Sequence, residues 1–274
     1  MQRFILLATL LWLCGTAQAA PPQQIEIPTD DKPLQAVLFR PDGAGPFPAV
    51  VALHSCDGLR DKSATLLKPV LDWGQILTSA GFVVIFPDSY ASRGLSQQCS
   101  VYPPKIRPDR ERLADARATR DWLQQQDFVR KDRISLIGWH NGGIAALWAV
   151  RPNLEPSDDR PDFRSAVVFY PGCRRLGDTA WSTRIPTLIL IGALDNWTPA
   201  KHCEDMAKNA RGRSAQVSIV KYKNAHHAFD HDGVALRQRR HIAFAPDPGG
   251  RVTVGTNSEA RADAIKRVVH WLSR

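Results

Sequence analysis

Three side chains able to do chemistry stand where short apolar runs end. Ile134-Ser135-Leu136-Ile137-Gly138-Trp139-His140-Asn141-Gly142-Gly143 is an apolar run that passes through a Gly-x-His-x-Gly turn into small residues. Such a turn holds a nucleophile on a strained strand-to-helix bend, and the glycines two before and two after it let the two backbones approach closely. Ser or Cys normally occupies its centre; here the residue is His140. Asp195 follows the run Thr187–Gly192, and His226-His227 follow Val217–Tyr222. The order nucleophile, Asp, His suits acyl transfer, in which the carboxylate fixes the tautomer of the base and stabilises its cation.

The elements that must position these groups are legible as alternating patterns. Leu34–Arg40, Ala49–Leu53, Phe82–Pro87, Ile134–Trp139, Ala166–Tyr170, Thr187–Gly192 and Val217–Tyr222 are mostly solid apolar, β-branched runs, as strands buried on both faces must be. Residues 62–79, 109–126, 142–150, 200–209 and 258–273 read as helices. Leu113, Ala116, Thr119 (or Arg120) and Leu123 fall at three-and-four spacing, one buried stripe, and Gly81 reads as a helix stop. Alternating strand and helix predicts one α/β domain: a mostly parallel central sheet, helices on both faces, and an antiparallel start formed by Gln24–Ile27 and Leu34–Arg40. Residues 230–256 read as a loop-rich excursion. In open sheets of this kind ligands bind beyond the carboxyl ends of the strands, where all three side chains lie.

Residues 1–19 read as a secretory signal: Arg3, the apolar run Phe4–Leu13, and the small-x-small site Ala17-Gln18-Ala19, so the domain is expected to span residues 20–274. Leu13 before Cys14 is too large for a lipoprotein box, and no later apolar run is long enough to span a bilayer. With Cys14 removed, Cys56, Cys99, Cys173 and Cys203 remain, an even number that reads as two disulfides in an oxidising compartment. Of the three pairings, Cys56–Cys99 and Cys173–Cys203 are favoured, because each joins two loops beyond strand ends on one edge of the sheet. The cysteines lack the spacing of a zinc site. The net charge of +9 contains one dense run, Arg237 to His241, without interleaved aromatics. That run reads as a solvated loop, and no nucleic-acid partner is expected.

The whole region from about Gln23 to the C-terminus resembles the dienelactone hydrolase family of α/β-hydrolases. The resemblance rests on Leu53-His54-Ser55-Cys56-Asp57-Gly58-Leu59, Phe86-Pro87-Asp88-Ser89-Tyr90, Gly138 to Gly143, Asp195 with Thr198-Pro199, and Ala225-x-His227-x-Phe229, all in family order. It implies an α/β-hydrolase fold and hydrolysis of a small ester or lactone without a cofactor. By the family spacing, His227 rather than His226 is the base and Asp195 its acid. The oxyanion donors are then the backbone N–H groups of Asn141 and of Cys56 (or Ser55). Family members hold an anionic substrate with an arginine, a role for which Arg93 is the candidate, a plain surface arginine being the other reading. Trp139, which flanks the elbow, reads equally as a wall of the acyl pocket or as core packing. The cysteine-bearing loops resemble an exported branch.

His140 departs from that pattern and leaves several readings open. Neutral imidazole can attack an activated ester, but its nitrogen lies farther from the backbone than a serine oxygen, and an error of about 1 Å can cost roughly a hundredfold. His140 can instead fill a degenerate site that only binds a ligand. It can join Asp195 and His227 around a metal ion, although a second-shell role for the carboxylate is commoner. Finally, His227 can activate water while the oxyanion donors act alone. His54 reads as a loop anchor, His226 as pointing away from the catalytic side, and His231 and His241 as solvent-facing.

Overall fold

The computed structural model describes residues 21–274 except 31, 155, 157 and 158. The expected signal segment therefore lies outside the described residues. The apolar runs form the strands β1 (Gln23–Ile27), β2 (Leu34–Phe39), β3 (Phe47–Leu53), β4 (Val83–Pro87), β5 (Val129–Trp139), β6 (Ala166–Phe169), β7 (Thr187–Gly192) and β8 (Val217–Tyr222). They make one sheet in the order β1-β2-β4-β3-β5-β6-β7-β8. The β1–β2 and β2–β4 pairs are antiparallel, and every pair from β4 through β3 to β8 is parallel. The register sets Val50 beside both Val84 and Ser135, and this centre is wholly buried.

Helices cover both faces, as expected. α1 (Lys68–Ser79) and α6 (Ser258–Ser273) are tied together by Arg261 and Asp72 at 2.6 Å, while α2 (Glu111–Leu123) packs on α3 (Asn141–Ala149). The short α4 (Arg174–Gly177) leans on α5 (Ala200–Ala210). The stripe Leu113, Ala116, Thr119 and Leu123 is buried, and Gly81 ends the turn after α1 with φ +89°. Asn257 caps α6 by accepting from the Ala260 N–H, satisfying a donor that the helix itself leaves open.

Most element ends shift by a residue or two from the expectation, and three differences are larger. α1 starts at Lys68 rather than 62: Pro69 occupies its first turn, and Asp61 Oδ1 instead draws in the N–H groups of Ser63 and Thr65 to make a separate turn. β5 begins at Val129, its charged first half lying outside the buried centre. Within residues 230–256, Arg237–Arg239 (β9) pairs antiparallel with Val252–Val254 (β10), and Val254 also bridges to His227. That excursion thus folds over the carboxyl ends of the main strands.

Cys56 is bonded to Cys99 and Cys173 to Cys203, the favoured pairing. Among the described residues no helix is long and apolar enough to cross a membrane.

Candidate active site

β5 is the first element to consider. It runs straight into α3, and His140 between them takes φ 48°, ψ −107°, outside the ordinary regions for a side-chain-bearing residue. A methyl group on Gly142 would overlap the Leu53 carbonyl, and one on Gly138 would overlap the backbone of Gly142. Both glycines are therefore required by close backbone approach. The His140 N–H is held by the Phe169 carbonyl at 3.0 Å, which fixes the bend to β6.

Asp195 lies after β7 and His227 after β8. Asp195 Oδ2 is 2.7 Å from His227 Nδ1, and because a carboxylate only accepts, Nδ1 carries the proton and Nε2 is left to take another. The N–H groups of Trp197 (2.9 Å) and Thr198 (2.8 Å) donate to Asp195 Oδ1, and the Thr198 hydroxyl lies 3.0 Å from Oδ2. The acid is thus fixed before any substrate arrives. The rings of His140 and His227 meet nearly at right angles (86°) with centroids 5.0 Å apart, and Trp197 lies against both, at 4.3 and 4.5 Å. Burial, reinforced by the nearby His227 and by the cations Arg239 and Arg112, holds the His140 pKa well below its ordinary 6.5, so the ring is neutral at pH 7. Its Nδ1 is buried without a partner among the described residues, while the residue itself remains partly exposed.

These groups face a cleft of about 430 Å³ whose walls include Phe86, Trp139, Tyr170, Trp197 and Val254. Trp139 is both wall and core: it stacks on Phe169 (5.6 Å, 9°) and its indole N–H donates to Asp230 at 2.9 Å. Asp230 also accepts from Trp73 and from the Tyr170 hydroxyl, at 2.8 and 2.7 Å. The Tyr170 ring in turn lies 4.2 Å from that of His227. Asp230 therefore anchors one wall of the cleft.

On the opposite side, the loop after β3 runs beside the elbow. Ser55 lines the cleft, with Cys56 buried directly behind it in its disulfide. Beneath this loop lies Arg112, fully buried in α2. It donates 2.6 Å bonds to the Asn141 side chain and to the His54 carbonyl, so one guanidinium joins the start of α3 to the loop after β3. The Tyr90 hydroxyl reaches the same Asn141 oxygen at 3.3 Å.

Several expectations need correction. Arg93 does not line the cleft: it forks Asp115 at 2.8 and 2.9 Å and bonds the Ser89 carbonyl, because that buried carboxylate needs a cation. The basic run is not simply a solvated loop, since β9 carries Arg237 and Arg239 into the cleft wall, with Arg239 3.0 Å from Asp57 and over the Trp197 ring. His231 also lines the cleft, 3.5 Å from the Tyr170 hydroxyl. The set His140, Asp195 and His227 does not converge as metal ligands. Among the described residues the only such cluster is Cys56, Asp57 and Cys99, whose sulfurs are bonded to each other.

Other readings agree with the structure. His54 anchors its loop through the Ser55 carbonyl (2.7 Å), and His226 turns away to the Leu194 carbonyl (3.0 Å). Sequence reasoning missed Arg112, Tyr170, Trp197 and Asp230. Trp197 and Asp230 stood two and three residues from named site residues, a usable signal; Arg112 had none beyond its place beside a buried stripe.

Comparison with known proteins agrees with this geometry. The family model described as "Dienelactone hydrolase family" matches residues 34–274. A Yersinia pestis protein named "Putative carboxymethylenebutenolidase" is 27% identical over 238 residues, 81% of this chain and 82% of its own length. A Bradyrhizobium protein named "Probable 2-oxo-3-(5-oxofuran-2-ylidene)propanoate lactonase" is 26% identical over 75% of this chain and 82% of its own. Among solved structures, one titled as a "Putative Dienelactone Hydrolase" from Klebsiella pneumoniae superposes with a TM-score of 0.71 at 23% identity, covering 93% of this chain and 98% of that one. Thermogutta terrifontis esterase 2 superposes at 0.64 with 17% identity, over 92% and 94% of the two chains. With the fold, the elbow and the ordered Asp–His pair in place, the chain belongs to the dienelactone hydrolase family.

Proposed function

We propose that this protein hydrolyses a small ester or lactone that carries an anionic group. The observation that carries the reading is the 2.7 Å bond between Asp195 and His227, set beside the elbow imidazole of His140 in a cleft. A histidine whose Nδ1–H is held by a carboxylate is a general base at Nε2 and, once protonated, a general acid toward the leaving oxygen. The backbone N–H groups of Asn141 and Cys56 serve as oxyanion donors, one at the start of α3 and one in the loop after β3. Arg237 and Arg239 supply the anion recognition that was assigned to Arg93. Trp139, Tyr170 and Trp197 make the apolar wall for the acyl portion.

Two disulfides are compatible with an oxidising compartment. They support an exported, periplasmic or secreted protein whose working unit is the domain from residue 20 onward.

The reading is tested with an activated short-chain ester and a carboxylate-bearing lactone, assayed with wild type, His140→Ala and His140→Ser. Wild-type turnover that falls in the Ala variant supports a working His140. Silence in wild type with turnover in the Ser variant marks a ligand-binding relative that has lost catalysis.

A further inference from the structure

Resting on that hydrolase reading, we infer that His140 is not a nucleophile but a neutral hydrogen-bond donor to the developing oxyanion, and that water attacks the substrate directly. A neutral imidazole carries one N–H, and His140 Nδ1 is buried with no partner among the described residues. A proton there would be an orphaned buried donor, whereas a proton on Nε2 leaves only an unused lone pair. The favoured tautomer therefore presents an Nε2–H, not a lone pair, to the cleft.

Attack by His140 would require the other tautomer and would produce a worse intermediate. An acylated serine or cysteine is neutral once its proton has gone to the base. An acylated imidazole is a cation until Nδ1 loses its proton, and no group adjoins Nδ1 to accept it. The permanent charges that bear on this ring are those of Arg239 and Arg112, both positive. No hydrogen bond joins the two imidazoles, which meet edge to face rather than nitrogen to nitrogen. The same positive surroundings favour an oxyanion.

A water oxygen bonds to the substrate carbonyl carbon while His227 Nε2 takes a water proton. The carbonyl electron pair moves to oxygen, where the His140 Nε2–H holds it. Collapse of the adduct restores the carbonyl, breaks the carbon–oxygen ester bond, and returns the proton from His227 to the leaving alkoxide. A lactone gives one hydroxy acid, an ester an acid and an alcohol. The imidazole projects farther from the elbow than a hydroxymethyl group, so an oxyanion at its tip lies farther from the Asn141 and Cys56 N–H groups. His140 therefore acts as a third donor beside them.

The test uses p-nitrophenyl acetate with wild type, His140→Gln and His140→Ala. Glutamine keeps an N–H near the Nε2 position but cannot form an acyl-enzyme. We expect His140→Gln to stay within about tenfold of wild type and His140→Ala to fall by about a hundredfold or more, the usual cost of one oxyanion donor. Acid-quenched wild type should show no acetyl adduct on the peptide containing His140, and the time course no burst. An acetyl adduct accumulating at His140 during turnover overturns the inference, as does a glutamine variant no better than alanine. The adduct measurement needs no variant to fold. A silent wild type would instead overturn the hydrolase reading itself.

Discussion

Arg112 donates to the Asn141 side chain across 2.6 Å while its second nitrogen donates to the His54 carbonyl across 2.6 Å. The elbow helix and the loop after β3 are thereby joined through a buried cation, and the spacing between the two segments proposed to hold the oxyanion is fixed. Arg112→Met should leave Asn141 Oδ1 without its charged donor and the His54 carbonyl unpaired, lowering stability by about 2 kcal/mol. Urea denaturation measures that loss. The turnover number should fall more than substrate affinity, since the guanidinium lies beneath the site rather than in the cleft. A variant with unchanged stability and turnover would remove Arg112 from the account.

Arg239 spans the cleft mouth, bonded to Asp57 and lying over Trp197. Arg239→Gln should raise KM about tenfold for a carboxylate-bearing lactone, the worth of one charge-assisted hydrogen bond, and leave a neutral ester little affected. Steady-state kinetics with the two substrates checks it. Equal effects on both would assign the arginine to structure rather than recognition.

The disulfides close loops of 43 and 30 residues. Chain-entropy arguments give each bridge roughly 3–4 kcal/mol as an upper range. A Cys56→Ala, Cys99→Ala protein should therefore melt well below wild type. It should also lose activity beyond that, because Cys56 belongs to the loop proposed to provide an oxyanion donor. Calorimetry and ester hydrolysis at a temperature where both proteins are folded separate the two effects.

Burial lowers the pKa of His54, His140 and His231, for His54 and His140 well below the ordinary 6.5. Below about pH 6.5 these rings take up protons in the unfolded chain but not yet in the folded one, so stability falls as pH drops toward their folded values. Above that pH they are neutral in both states and contribute no slope. Each ring adds up to about 1.4 kcal/mol per pH unit within that window. The stability of wild type should therefore drop more steeply than that of His140→Gln between neutral and mildly acidic pH. Parallel profiles in urea titrations would contradict a neutral buried His140.

The fold was legible because buried parallel strands must be apolar throughout, and Thr187–Gly192 and Ala166–Phe169 are. The elbow was legible because close backbone contact at Gly138 and Gly142 admits only glycine. Asp195 and His227 followed from chain order and family spacing. Arg112 was hidden because a charged residue on a helix ordinarily faces water; its burial depends on partners 29 and 58 residues away. Arg237 and Arg239 were misread because β9 has no apolar pattern and exists only through pairing with β10. Arg93 was misassigned because chain position beyond a strand does not say which way a long side chain turns, and Asp115 decides it.

The most direct test is the steady-state hydrolysis of a carboxylate-bearing five-membered lactone by the purified protein, wild type against His227→Ala. The account predicts wild-type turnover well above the spontaneous rate and a loss of about a hundredfold or more in the variant, the typical contribution of a positioned acid–base group. Equal rates in the two proteins would contradict it, as would a wild type no faster than buffer across a range of such lactones.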